Sequence, residues 1–249
     1  MTLDPRRLRV KLFADGADIA GLLELCKNPQ IKGFTTNPTL MRSAGVTDYE
    51  GFAHALLEAV PHLPISFEVF SDDFEEMRIQ ALRIASWGDN VYVKVPITNT
   101  RGAPCGPIVR TLAASGVKVN VTALTTLEQV QVAAEWLSEG PSCFVSVFAG
   151  RIADTGLDPV PIMAKAVDLV ASNPNVELVW ASPREILNVV QADAIGCHVI
   201  TLTHDLLKKL HLLGHDLTQL SLETVRMFHD DARAAGYAFD GIRVAPERD

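Results

Sequence analysis

The chain of 249 residues has no long hydrophobic run. Its most apolar stretches, around Val117–Leu124 and Cys143–Gly150, fall well short of the roughly 20 residues that a bilayer core requires, so no membrane partner is expected. It has no CxxC pair. Cys26, Cys105, Cys143 and Cys197 stand far apart, which argues against a zinc site or a disulfide framework and for reduced, mostly buried thiols. A basic stripe is also missing: 22 Lys and Arg face 30 Asp and Glu, for a net charge of −8, and the bases are scattered singly or in pairs such as Lys208-Lys209. Without a basic footprint to neutralise phosphates, a nucleic-acid partner is disfavoured. Met1–Arg9 is polar and basic and carries no apolar run of the kind that precedes a leader cleavage site, so a cytoplasmic location is expected. What is present is an ordinary globular composition, 48% hydrophobic, with enough length for a sizeable core.

No linker or low-complexity tract divides the chain, which reads as one domain over residues 1–249. A rhythm repeats along it: a short apolar run, a polar residue at its end, then an amphipathic stretch. The strand candidates are Leu8–Ala14, Lys32–Thr36, Ile65–Phe70, Asn90–Val95, Val117–Thr122, Cys143–Val147, Val176–Ala181 and His198–Leu202. Between them, Phe74–Trp87 places Met77, Ala81 and Ile84 at helical spacing, with Asp72 and Glu75 reading as a capping box and Gly88 as the C′ glycine. Eight strand–helix units with nearly all-apolar strands predict an α/β fold, a parallel (β/α)8 TIM barrel. An open doubly wound sheet is the alternative, disfavoured because no GxGxxG turn follows the first strand. A C-terminal helix at 221–235, with Leu222, Val225, Phe228 and Ala232 along its apolar side, has no strand after it and is expected to pack on the barrel or a neighbouring subunit.

In such barrels the reacting groups gather at the carboxyl ends of the strands. The polar residues nearest those ends are Asp15, Thr35 with Asn37, Glu68, Lys94, Asn120 with Thr122, Arg151, and Ser182 with Arg184. Lys94 lies inside the apolar run Val91–Pro96, where the desolvation cost of its charge makes a neutral, nucleophilic amine accessible, the kind that forms Schiff bases with carbonyls. The alternative is a lysine that snorkels from the strand end or simply pairs with a carboxylate. Asp15 and Glu68 are acids in apolar surroundings, read either as salt-bridge partners of Lys94 or as proton carriers. Arg151, Ser182 and Arg184 suit a phosphate dianion; the competing reading pairs an arginine with Asp154 or Glu185. Asn120-Val121-Thr122 matches a glycosylation sequon but falls in a buried strand. His211 and His215 have the i,i+4 spacing of zinc ligands, but Gly214 interrupts the helix between them, and no metal is expected.

These residues sit in blocks that resemble the transaldolase family, which includes the small fructose-6-phosphate aldolases. The blocks are Leu12–Asp15, Gly33–Thr39 with its TTNP core, Ile65–Val69, Val93–Pro96, Asn120–Thr122, Val147–Ile152 and Ala181–Arg184, in order and through most of the chain. The resemblance implies a barrel in which Lys94 is the Schiff-base lysine and Asp15 the acid/base, with Glu68 and Thr122 holding a proton-relaying water. It further implies that Thr35, Asn37, Asn120 and Phe148 line the sugar site, that Arg151, Ser182 and Arg184 surround the phosphate, and that no cofactor is required. Two departures stand out: Gly16 where the family often has Thr or Ser, and Pro183 where it has Phe. Members of the compact branch tend to form rings, so a homo-oligomer is expected.

The leading expectation is transfer of a dihydroxyacetone unit from a ketose phosphate to an aldose phosphate, in carbohydrate metabolism of the pentose phosphate type. An aldolase that releases free dihydroxyacetone is the alternative. Compact aldolases tend to carry Gln where this chain has Glu68 and Tyr where it has Phe148, and both residues point to transfer. A sugar-phosphate binding protein that kept the pocket and lost the chemistry is the reading from another class.

Overall fold

A computed structural model describes residues 7–239. The opening segment up to Arg6, part of the leader reading, lies outside the described residues. The first half of the chain runs β1 (Lys11–Asp15), α1 (Ile19–Leu25), β2 (Ile31–Thr35), α2 (Pro38–Ser43), α3 (Tyr49–Ala59), β3 (Ile65–Glu68), α4 (Phe74–Ala85), β4 (Val91–Pro96) and α5 (Gly106–Ala114). The second half runs β5 (Val119–Leu124), α6 (Leu127–Trp136), β6 (Cys143–Val147), α7 (Ala149–Asp154), α8 (Pro159–Val170), β7 (Val176–Trp180), α9 (Leu187–Ala194), β8 (Val199–Thr203) and α10 (His204–Lys208). All eight strands are parallel and pair in chain order, and β1 closes on β8. The fold is the (β/α)8 TIM barrel. Among the described residues no helix is long and apolar enough to cross a membrane.

Alternation along the strands divides the core in two. Outward residues such as Leu12, Val93, Val95 and Val145 join the helices in one large apolar cluster. Inside the barrel Phe13, Tyr92, Phe144, Val179 and Val199 form a separate apolar plug. Phe144 stacks on Tyr92 at 4.3 Å between ring centroids and meets Phe13 edge-on at 5.6 Å. A side chain at Gly33 would come within 2.6 Å of the Phe13 ring, so glycine there admits the plug. Two residues further along the same faces stand Asp15, Lys94, Ser146 and Thr201. The plug is therefore the floor of a polar chamber.

Two local readings need correction. The cap of α4 is Asp73, which accepts from the N–H groups of Glu75 and Glu76, while Asp72 accepts instead from the Thr100 backbone N–H and hydroxyl. The helix ends on Ser86, and Gly88 does not take the left-handed φ of a C′ glycine. The four cysteines are free thiols, three of them buried.

The last helix, α11 (Leu217–Ala234), begins four residues before the expected Ser221 because Asp216 caps it, accepting from Thr218 and Gln219. None of its residues is buried, and Leu222, Val225 and Phe228 are exposed.

Candidate active site

A cavity of about 450 Å³ opens at the carboxyl ends of the strands. It is lined by all eleven residues anticipated for the site: Asp15, Thr35, Asn37, Glu68, Lys94, Asn120, Thr122, Phe148, Arg151, Ser182 and Arg184. Parallel pairing fixes their neighbours. Glu68 stands opposite Lys94, Lys94 opposite Asn120, and Asp15 opposite both Thr35 and Thr203.

Lys94 is 6% exposed. Its Nζ lies 2.9 Å from Glu68 Oε2 and donates to the Thr36 carbonyl at 2.8 Å. The anticipated pairing with a carboxylate is thus present, inside a cavity that a carbonyl compound can enter. Asp15 Oδ1 accepts from the Thr35 hydroxyl at 2.8 Å. Burial pushes the Asp15 carboxyl above the usual carboxylate range, against the opposing pull of Lys94 and the Thr35 hydroxyl and with a further push from Glu68. Such a group holds its proton to higher pH than an exposed aspartate does.

Asn120 is braced from both sides: its Nδ2 donates to Ser66 Oγ at 3.1 Å, and Ser146 Oγ donates to its Oδ1 at 2.7 Å. One amide hydrogen and one lone pair remain for a ligand. Asn37 spends its Oδ1 capping α2, accepting from Leu40, and keeps its NH2 for the cavity. The Thr122 hydroxyl is buried without a hydrogen-bond partner. In a polar cavity an orphan of this kind marks the place for a water or a substrate hydroxyl.

The backbone is bent where these groups are aimed. Between Val121 and Leu124 the pairing with β6 gains an extra residue, a bulge at Thr122–Ala123, and Ala123 takes φ 66°. Ser182 takes φ 60°. These two non-glycine residues in the left-handed region both line the cavity, where strain of this kind tends to be retained.

At the far wall Arg151 and Asp154 project from α7, and Arg184 follows β7. Arg184 is clasped by Asp154 through both ends of its guanidinium, Nε donating to Oδ1 at 2.9 Å and Nη2 pairing with Oδ2. The ion-pair reading for Arg184 is therefore correct, although the residue still lines the cavity. Arg151 lies over the Phe148 ring at 6.0 Å. Gly150 makes this corner possible, because α7 packs so tightly that a side chain there would fall 1.5 Å from the Ser182 carbonyl oxygen.

A family model described as Transaldolase/Fructose-6-phosphate aldolase matches residues 12–242. The chain belongs to this family. Among its relatives, one from Nitrosopumilus maritimus (strain SCM1), named "Probable transaldolase", is 32% identical over 219 residues, covering 86% of this chain and 92% of the relative. Another of the same name from Chelativorans sp. (strain BNC1) is 34% identical over 215 residues, covering 86% and 94%. The chain also resembles a dihydrodipicolinate synthase from Thermotoga maritima, with a TM-score of 0.57 at 12% identity over 94% of this chain and 85% of that one. That likeness speaks for the barrel alone.

The cavity residues not anticipated as site residues from the sequence include Leu40, Ala123, Ser146, Thr201 and Thr203. Ser146 and Thr201 share a strand face with plug residues two positions earlier, Phe144 and Val199, so period-two alternation was the signal for them. The helices of the barrel leave His211 and His215 with separate partners, the Lys208 carbonyl and the Glu223 carboxylate.

Proposed function

We propose that the chain is a Schiff-base transaldolase that moves a dihydroxyacetone unit from a ketose phosphate, fructose 6-phosphate or sedoheptulose 7-phosphate, to an aldose phosphate. One observation carries the reading: a buried lysine amine 2.9 Å from a carboxylate, in a cavity that also holds a second carboxyl, Asp15, which burial shifts above the usual carboxylate range. Glu68 is within reach of the proton that Lys94 must lose before its lone pair attacks the ketone carbon. Water leaves the resulting carbinolamine, relayed by Glu68 and Thr122, and a protonated imine remains on Nζ. Asp15 then takes the proton of the C4 hydroxyl. The C3–C4 bond breaks, its electron pair flows into the imine, and an aldose phosphate departs, leaving an enamine on Lys94. An acceptor aldehyde reverses these steps: the enamine carbon attacks it, Asp15 returns the proton to the new alkoxide, and hydrolysis frees the lengthened ketose phosphate. The imine is the electron sink, so the steps need no cofactor.

Asn37 and Asn120 supply amide groups for sugar hydroxyls, and Arg151, Ser182 and Arg184 face the phosphate. Asp154 competes with that phosphate for Arg184. Lys94, Asp15, Glu68 and Thr122 all line one cavity, which speaks against a binding protein that has lost the chemistry. Phe148 in the cavity wall brings no hydroxyl to activate water against the enamine, which favours transfer over release.

The test is the product profile from fructose 6-phosphate with and without erythrose 4-phosphate. Transfer predicts sedoheptulose 7-phosphate with the acceptor and little free dihydroxyacetone without it. Release of dihydroxyacetone as fast as transfer would move the chain to the aldolase reaction.

A further inference from the structure

The end of β3 has lost its neighbour. Along this edge Phe34 and Thr36 donate their N–H groups to the carbonyls of Pro64 and Ser66, and pairing between β2 and β3 ends at Thr35 opposite Ser66. The next rung would need the Thr36 carbonyl for the Glu68 N–H and an N–H at position 38 for the Glu68 carbonyl. Position 38 is a proline and has none, and the Thr36 carbonyl is taken by Lys94 Nζ. Both groups of Glu68 go instead to one atom on α3: the Tyr49 hydroxyl accepts from the Glu68 N–H and donates to the Glu68 carbonyl, each at 2.8 Å.

We propose that Tyr49 is a positioning residue for Glu68: its hydroxyl replaces the missing rung, holds the end of β3 against β4, and leaves the Thr36 carbonyl free for Lys94. The inference deepens the Schiff-base reading and rests on it. The Tyr49 ring lies among Phe67, Phe70 and Trp87, at centroid separations of 6.4, 5.7 and 6.0 Å. Burial keeps its hydroxyl protonated well beyond neutrality, so the donated hydrogen bond persists across the working pH range. Two opposed hydrogen bonds to one residue's backbone fix where Glu68 leaves the strand, and hence where its carboxylate meets Nζ.

The experiment is a double-mutant cycle of Tyr49→Phe and Glu68→Gln, read by steady-state kinetics on fructose 6-phosphate with erythrose 4-phosphate and by the rate at which borohydride fixes a three-carbon adduct on Lys94. Tyr49→Phe should slow the adduct and kcat on the order of tenfold, as expected for a misplaced reacting group, with KM nearly unchanged. In the Glu68→Gln background it should cost nothing further. Trp87→Phe keeps an aromatic ring beside Tyr49 and both hydrogen bonds between its hydroxyl and Glu68, and should keep the wild-type adduct rate. The inference is overturned if Tyr49→Phe forms the adduct at the wild-type rate, if the two losses multiply, or if Trp87→Phe slows the adduct as much, which would also decide the matter should Tyr49→Phe not fold. A wild-type chain that forms no adduct overturns the Schiff-base reading and this inference with it; an adduct that forms normally in both proteins overturns this inference alone.

Discussion

Gly150→Ala tests how the phosphate corner is built. The added Cβ would sit 1.5 Å from the Ser182 carbonyl oxygen, a backbone atom that cannot rotate aside, and 3.4 Å from Arg184 Nε. The start of α7 and the turn after β7 must part by about 1.5 Å to reach a tolerable contact, in an interior packed like a crystal. Overpacking of this kind costs about 1–3 kcal/mol, or a fall of roughly 3–10 °C in Tm for a chain of this size. The same displacement pulls Arg151 away from Ser182 and Arg184. A charge-assisted hydrogen bond lost there is worth about 1.5–3 kcal/mol, so kcat/KM for fructose 6-phosphate should fall about tenfold or more. Fructose, which has no phosphate, should be processed as by the wild type. The assay is thermal unfolding together with kcat/KM on both donors, and equal losses on the two donors, or an unchanged Tm, would refute the reasoning.

Three further outcomes follow from the geometry. Asp15→Asn should abolish turnover yet stabilise the fold: the carboxyl is raised in the folded chain, so the folded state binds the extra proton and stability falls as pH climbs from the ordinary aspartate value of 3.8 through the raised one. The variant's gain in Tm should therefore be present at neutral pH and absent in acid, and a gain of equal size at both would refute the link. Phe148→Tyr, alone or with Glu68→Gln, should raise the ratio of free dihydroxyacetone to transferred product, because it places a hydroxyl where water must be activated; an unchanged ratio counts against the role given to Phe148. For α11 we propose a neighbouring subunit as the partner of its exposed side, and Phe228→Asp should weaken an oligomer seen by sedimentation, whereas a wild-type monomer at micromolar concentration would contradict that packing.

The barrel was readable because its strands are short apolar runs, buried on both faces, at regular intervals. Boundaries shifted by a few residues, as at β8, where ending the strand at Leu202 instead of Thr203 hid a cavity residue. The cavity lining was legible for a different reason: much of it consists of polar residues near strand ends, so Asp15, Glu68 and Lys94 stand out against apolar neighbours. Groups that act through the backbone left no such mark. Tyr49 lies 19 residues before the Glu68 it holds, on a helix, and nothing local distinguishes it from any half-buried tyrosine. The Asp154–Arg184 clasp depends on the approach of α7 to the turn after β7 and was legible only as one of two possible pairings. The cap of α4 was misread by one residue because Asp72 and Asp73 are adjacent and both acidic, and only tertiary structure sends Asp72 to Thr100.

The central claim is that Lys94 forms a covalent imine. Incubation with fructose 6-phosphate and borohydride, followed by mass spectrometry of the peptides, should find a reduced three-carbon unit on the Lys94 peptide and nowhere else, and Lys94→Ala should abolish both the adduct and turnover. An adduct that survives Lys94→Ala, or turnover with no adduct in the wild type, would contradict the account.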